Sequence, residues 1–148
     1  MQSTKLISAL LTIFLLTGCA TGFDAATQQQ DPTGNGRYVA VGDLQVQNMT
    51  VVAGETNAAL LMKIFNDTTE SDRLLQLTIG NQNVLTDIAI PANTKVAYGN
   101  AANPAHIFEL SAQPGGYLPV RMQFERAGIY ETSVLVVAPV NQYAGLVD

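Results

Sequence analysis

Reactive side chains are scarce in this sequence. Its 148 residues include one cysteine, one histidine and no tryptophan, and only 13% are charged. A single cysteine rules out a disulfide within the chain. A single histidine leaves little material for acid–base or nucleophilic catalysis, which needs at least two cooperating groups within hydrogen-bond reach. Past the first twenty residues serine occurs only at Ser71, Ser111 and Ser133, and no Gly-x-Ser-x-Gly, His-Glu-x-x-His or phosphate-cradling glycine loop accompanies it. A protein that is not an enzyme is expected.

Long apolar runs are missing too. The stretch Leu6 to Leu16 is too short for a permanent span, since about 30 Å of hydrocarbon takes about 20 residues of helix. With Lys5 before it and Thr17-Gly18-Cys19 after it, the stretch has the form of a cleaved export signal. Leu16-Thr17-Gly18-Cys19 looks like the bacterial lipobox, in which small residues precede a cysteine whose thiol receives a diacylglycerol. Lipidation explains an odd, unpaired thiol in an exported chain. Two or three acyl chains, palmitate among them, anchor a protein stably, because each buried methylene contributes about 0.8 kcal/mol. The alternative is an incidental Cys19 in a signal cut further on, after Ala20. Attachment to the membrane through lipid on Cys19, at the extracytoplasmic face, is the expectation.

Loss of residues 1–18, Lys5 among them, takes the seven basic residues to six against twelve acidic ones, a formal charge of −6. That balance offers no general hold on nucleic acid or on an acidic lipid surface. Residues 20–36 are small and polar and read as a flexible tether with a reach of roughly 20–25 Å. The expected division is therefore a signal over 1–18, acylated Cys19 with its tether over 19–36, and one domain over 37–148.

That domain carries short apolar or alternating runs separated by Gly, Pro, Asn and Asp, with almost no helical periodicity. Candidate strands are Arg37–Val41, Leu44–Val52, Ala58–Asn66, Arg73–Gly80, Val84–Ile90, Thr94–Tyr98, His106–Leu110, Leu118–Glu125 and Ile129–Val137. In Val120-Arg121-Met122-Gln123-Phe124 apolar and polar residues alternate, as in a strand with one buried and one wet face. Val134 to Val137 is apolar on both faces, so the last strand is expected to be central. The count predicts an all-β antiparallel sandwich of about seven to nine strands.

Four pieces in fixed order carry a resemblance: Ala58-Ala-Leu-Leu-Met-Lys-Ile-Phe-Asn66, Asp72-Arg73-Leu74, Ile90-Pro91-Ala92, and Leu118-Pro-Val-Arg-Met-Gln-Phe-Glu-Arg-Ala-Gly128. The chain resembles the actinobacterial LpqE-type lipoproteins, related to the periplasmic copper(I) chaperones named PCuAC. The resemblance implies an immunoglobulin-like or cupredoxin-like sandwich. It also raises copper(I), which those chaperones hold through His and Met ligands that include a late His-x-Met. Here the late motif reads His106-Ile107-Phe108, and Ile79-Gly-Asn-Gln-Asn-Val84 stands in the loop of the earlier ligands. Copper(I) is soft and takes about three thioether, thiolate or imidazole donors for a tight site. Met62 alternates with Leu60 and Ile64, and Met122 with Val120 and Phe124, so both read as core. Met49 shares the face of Gln45 and Gln47, which leaves it open to a metal. His106 follows Asn-Pro-Ala, where a lone histidine is a surface or capping residue or, with Met49, a copper ligand.

The acidic run Asn66-Asp-Thr-Thr-Glu-Ser-Asp72 lacks the glycine and terminal glutamate of an EF-hand and reads as a solvated hairpin loop. Two functions remain in view. The first is a non-catalytic binding or scaffolding module of the cell envelope, with no resident cofactor, whose protein partner meets exposed loops such as Asn100–Ala105 and Gln113–Tyr117. The second is a copper(I) metallochaperone with a weak, degenerate site around His106.

Overall fold

The computed structural model describes residues 36–148. The expected signal, Cys19 and all of the expected tether but Gly36 lie outside the described residues. Nine strands follow: β1 (Arg37–Val41), β2 (Leu44–Ala53), β3 (Ala58–Asn66), β4 (Asp72–Ile79), β5 (Gln82–Ile90), β6 (Thr94–Tyr98), β7 (Ile107–Phe108), β8 (Tyr117–Phe124) and β9 (Ile129–Val137). Most fall within one or two residues of the sequence expectation. The exception is the strand expected over His106–Leu110, of which only two residues pair. Its ends are diverted locally: the His106 N–H donates to the Tyr98 hydroxyl at 2.9 Å, and the Leu110 N–H turns back to the Phe108 carbonyl at 2.9 Å.

The strands run β5-β4-β8-β9-β2-β3-β6, with β1 added on β2 and β7 on β3. Strands β5, β4, β8 and β9 form one sheet, and β1, β2, β3, β6 and β7 the other. Pairing is antiparallel throughout except where β9 lies parallel to β2, at Val51↔Val136 and Val52↔Val137. Strand β9 is therefore central, as its doubly apolar end predicts, and the architecture is the antiparallel β-sandwich expected. Leu74, Leu77 and Ile79 of β4, Val120, Met122 and Phe124 of β8, and Leu60, Met62 and Ile64 of β3 fill the space between the sheets. Burying each such side chain contributes roughly 1.5–3 kcal/mol.

Strand β2 breaks its own alternation. Gln47 stands opposite Lys63 and Thr50 opposite Leu61, so three steps on β2 match two on β3. The extra residue is Asn48, whose φ of 53° lies in the left-handed region that asparagine tolerates better than most residues. One inserted residue exchanges the faces of everything after it. Met49, expected beside Gln45 and Gln47 at the surface, is instead wholly buried in the core.

After β9 the chain makes a single 3-10 turn, Asn141–Tyr143, and returns to the β2–β3 turn. There the Asn57 amide donates to the Asp148 carboxylate at 2.8 Å and its carbonyl oxygen accepts the Asp148 N–H at 3.1 Å. Gly54 leaves room for this: a Cβ at that position would collide with the Asp148 carbonyl oxygen. Val52 and Ala59, paired across β2 and β3, stand outside the core cluster and are still fully buried.

Candidate functional site

The four sequence pieces behind the family resemblance converge at one end of the sandwich. Asn66, at the end of β3, is fully buried, and its amide donates to the carbonyls of Glu70 (2.8 Å), Pro91 (3.1 Å) and Ile90 (3.3 Å). Its oxygen accepts the Thr68 N–H and hydroxyl at 3.1 and 2.7 Å. Asp72, 5% exposed, accepts three backbone N–H groups, from Arg73, Arg126 and Ala127, at 2.7 to 2.9 Å. The Glu125 N–H adds a bond to the Arg73 carbonyl at 2.9 Å, and Arg126 pairs with Glu70. The segment 66–72 is thus more than the solvated loop expected: its two ends are buried and bind it to two neighbouring turns, at 90–91 and 126–127. The buried polar atoms of Asn66 and Asp72 are all committed to the fold, so this end is a structural clamp.

The metal candidates separate. Met49, Met62 and Met122 are all in the core at 2% exposure or less. His106 is exposed, with its ring edge-on to Phe108 (centroids 4.8 Å apart, planes at 82°) and its N–H on Tyr98. Burial of Tyr98 raises its hydroxyl above the ordinary tyrosine pKa, and the N–H bond from His106 offsets part of that. The structure therefore brings His106 together with Phe108 and Tyr98, and leaves Met49 closed in the interior on account of the Asn48 bulge. Cys19 lies outside the described residues. Among the described residues no three His, Cys, Asp or Glu side chains gather as a metal cluster.

A concavity of about 450 Å³ lies on the outer face of β2, β3 and β6. Leu61 and Ala97 form its floor; Asn48 at the bulge and Gln142 and Tyr143 of the C-terminal turn form walls; exposed Lys63 stands among them. Gly99, at φ 91°, lets β6 end against Leu61, where any Cβ would strike that side chain. Of the two loops expected to carry recognition, Asn100–Ala105 reaches this groove through Asn100.

The strands around the groove carry charge of one sign only, the acids Asp43, Glu55 and Glu109 lying in the connections beyond their ends. Strands β1, β2, β3, β6 and β7 contain no aspartate or glutamate but carry Arg37, Lys63 and Lys95. Net charge concealed this asymmetry. It was nonetheless readable in the sequence, once the expected strands were sorted by sheet rather than summed.

This arrangement is a nine-stranded, all-β sandwich of the kind seen in PCuAC domains. The copper-bound PCuAC domain from PmoF2 superposes with a TM-score of 0.55 at 24% identity, over 70% of this chain and 99% of that one. The apo PCuAC domain from PmoF1 gives 0.57 at 21% identity, over 70% and 100%, and the apo PmoF2 PCuAC domain 0.55 at 22%, over 71% and 98%. The likeness fixes the fold. No protein-family profile and no curated protein matches the sequence.

Proposed function

We propose that this chain is an extracytoplasmic lipoprotein whose β-sandwich is a non-catalytic binding or scaffolding module of the cell envelope. Acyl chains on Cys19 hold it at the membrane, and residues 20–36 let the sandwich stand clear of the headgroups. The observation that carries the reading is the distribution of donors on this fold. The three methionines of the described residues are closed in the core, and among those residues His106 alone offers a soft ligand at the surface. A tight copper(I) site takes about three converging donors, so one imidazole is a poor trap. What the surface does offer is a preformed groove within the roughly 300–1,000 Å³ range of ligand sites. Its partner is expected to be another envelope protein.

The test is capture from native membranes with a tagged full-length chain, alongside Cys19→Ser. A reproducible envelope partner, and release of Cys19→Ser from the membrane, are the expected results. Wild-type chain that captures nothing above the tag alone would remove the binding reading. An unmodified Cys19 in the mass spectrum would remove the anchor.

A second reading takes copper(I) as cargo, held weakly at His106 and passed on. The copper-bound PmoF2 domain, similar in fold, favours it. Met49 joins such a site only if the Asn48 bulge opens. Titration of the full-length chain with copper(I) against a competing chelator decides: binding tighter than micromolar that His106→Ala abolishes supports it, and binding indifferent to that substitution eliminates it.

A further inference from the structure

In a chain with an excess of acids, one sheet has none. Its three cations also lack counter-charges: Arg73, Arg121 and Arg126 pair with Asp87, Glu131 and Glu70, whereas among the described residues no carboxylate meets Arg37, Lys63 or Lys95. Lys63 stands opposite Ala97 and Phe65 opposite Lys95, so the two lysines are diagonal neighbours on the outer face, with Phe65 and Ala97 between them. Field lines from unpaired charges at a concave, partly apolar surface are focused rather than dispersed.

Beside the lysines lies the groove. Its floor is apolar, and the side-chain amides of Asn48 and Gln142 on its walls have no hydrogen-bond partner among the described residues. A carboxamide both donates and accepts, which matches a peptide group. Acyl chains would leave these amides unsatisfied, at a cost in binding. Charge, shape and hydrogen-bonding capacity therefore select the same occupant.

We infer that the outer face of β2, β3 and β6 docks an acidic polypeptide segment of the partner, its carboxylates on Lys63 and Lys95 and an apolar side chain on Leu61 and Ala97. This rests on the binding-module reading and gives that module its surface and the chemistry of its partner.

The probe is a fluorescein-labelled octapeptide of alternating glutamate and leucine, compared with its lysine–leucine counterpart, in fluorescence anisotropy on the full-length chain in detergent. The acidic peptide should bind about tenfold or more tighter than the basic one and weaken as salt rises. Lys63→Glu and Tyr143→Ala should each cost about tenfold, while Arg121→Glu, on the other sheet, changes nothing. Equal affinity for both peptides, or a Lys63→Glu chain that binds like wild type, overturns the inference. So does competition by phosphatidylglycerol vesicles that depends on Lys63, which would make the face a lipid-contacting one. Loss of the effect on deleting residues 20–35 would make the chain's own tether the occupant and equally overturn it. Capture from native membranes separates the two levels. A partner retained by Lys63→Glu leaves the module reading standing and refutes this surface, whereas wild type without any partner removes both.

Discussion

The backbone N–H of Ala127 reaches back to the carboxylate of Asp72, 55 residues earlier, across a 2.9 Å hydrogen bond. That contact joins Asp72-Arg73-Leu74 to Phe124-Glu-Arg-Ala-Gly128, and Asn66 ties in Ile90-Pro91 from the other side. The pieces that give the chain its family likeness are thus held together by its hydrogen bonds. Hydrogen bonds to a charged group contribute about 1.5–3 kcal/mol each, and an abandoned buried donor costs comparably. Asp72→Ala should lower stability by about 3 kcal/mol or more in urea unfolding. Asp72→Asn should recover little, because its NH2 faces a backbone donor. A loss under about 0.5 kcal/mol in either variant would mean that the clamp does not bear on the fold.

Burial of Met49 gives a second expectation. Met49→Ala should cost about 2–5 kcal/mol, as truncation in a packed core does, whereas an exposed methionine would cost under about 0.5. The bulge is tested through Asn48: glycine should be near neutral, and valine should cost about 1–3 kcal/mol because a β-branched residue resists positive φ. Denaturant midpoints at unchanged m-value are the measurement.

Tyr98 makes stability depend on alkaline pH. In the folded state its pKa is raised, chiefly by burial, so the neutral hydroxyl is favoured by folding. The associated stability is complete below about pH 10, the unfolded value, and is lost as pH climbs through the higher folded one. Tyr98→Phe should cost about 1 kcal/mol at neutral pH, where the His106 N–H loses its acceptor, and should flatten the alkaline limb. Thermal melts of both chains from pH 7 to 11 check this. An alkaline limb of the same depth in Tyr98→Phe would show that another group causes it.

The C-terminal latch predicts coupling between positions far apart in sequence. Gly54→Ala should cost about 1–2 kcal/mol by driving a methyl group into Asp148. With Asp148 deleted, the same substitution should cost under about 0.5 kcal/mol, a non-additivity that a double-mutant cycle reads directly. Strict additivity would show that the latch is not formed in solution.

How far the sequence could be read varies by region. Period-2 alternation placed β3 and β8 because nothing interrupts it there, a doubly apolar run placed β9 in the middle, and Met62 and Met122 point inward as their neighbours require. The same rule failed for Met49, since Asn-Met-Thr carries no glycine or proline to advertise an inserted residue. Asn66 and Asp72 were visible only as polar letters; their burial depends on turns 24 to 55 residues away, which no local pattern encodes. The groove was hidden for a similar reason, because Tyr143 meets Leu61 only after the chain has doubled back. The acid-free sheet was in plain view, but a total charge averages it away.

One consequence of the topology concerns timing. Of the nine described strands β9 is the last to be synthesised, and it lies in the middle of the strand order, between β8 and β2. Until it arrives, β1 covers β2 only as far as Met49, Val51 and Val52 have no partner on that edge, and the two sheets share no paired strand. Partners this distant in the chain close slowly. A polypeptide of this design stays open to threading until its ninth strand is delivered, so any step that needs an extended chain has the whole synthesis of β1 to β8 in which to happen.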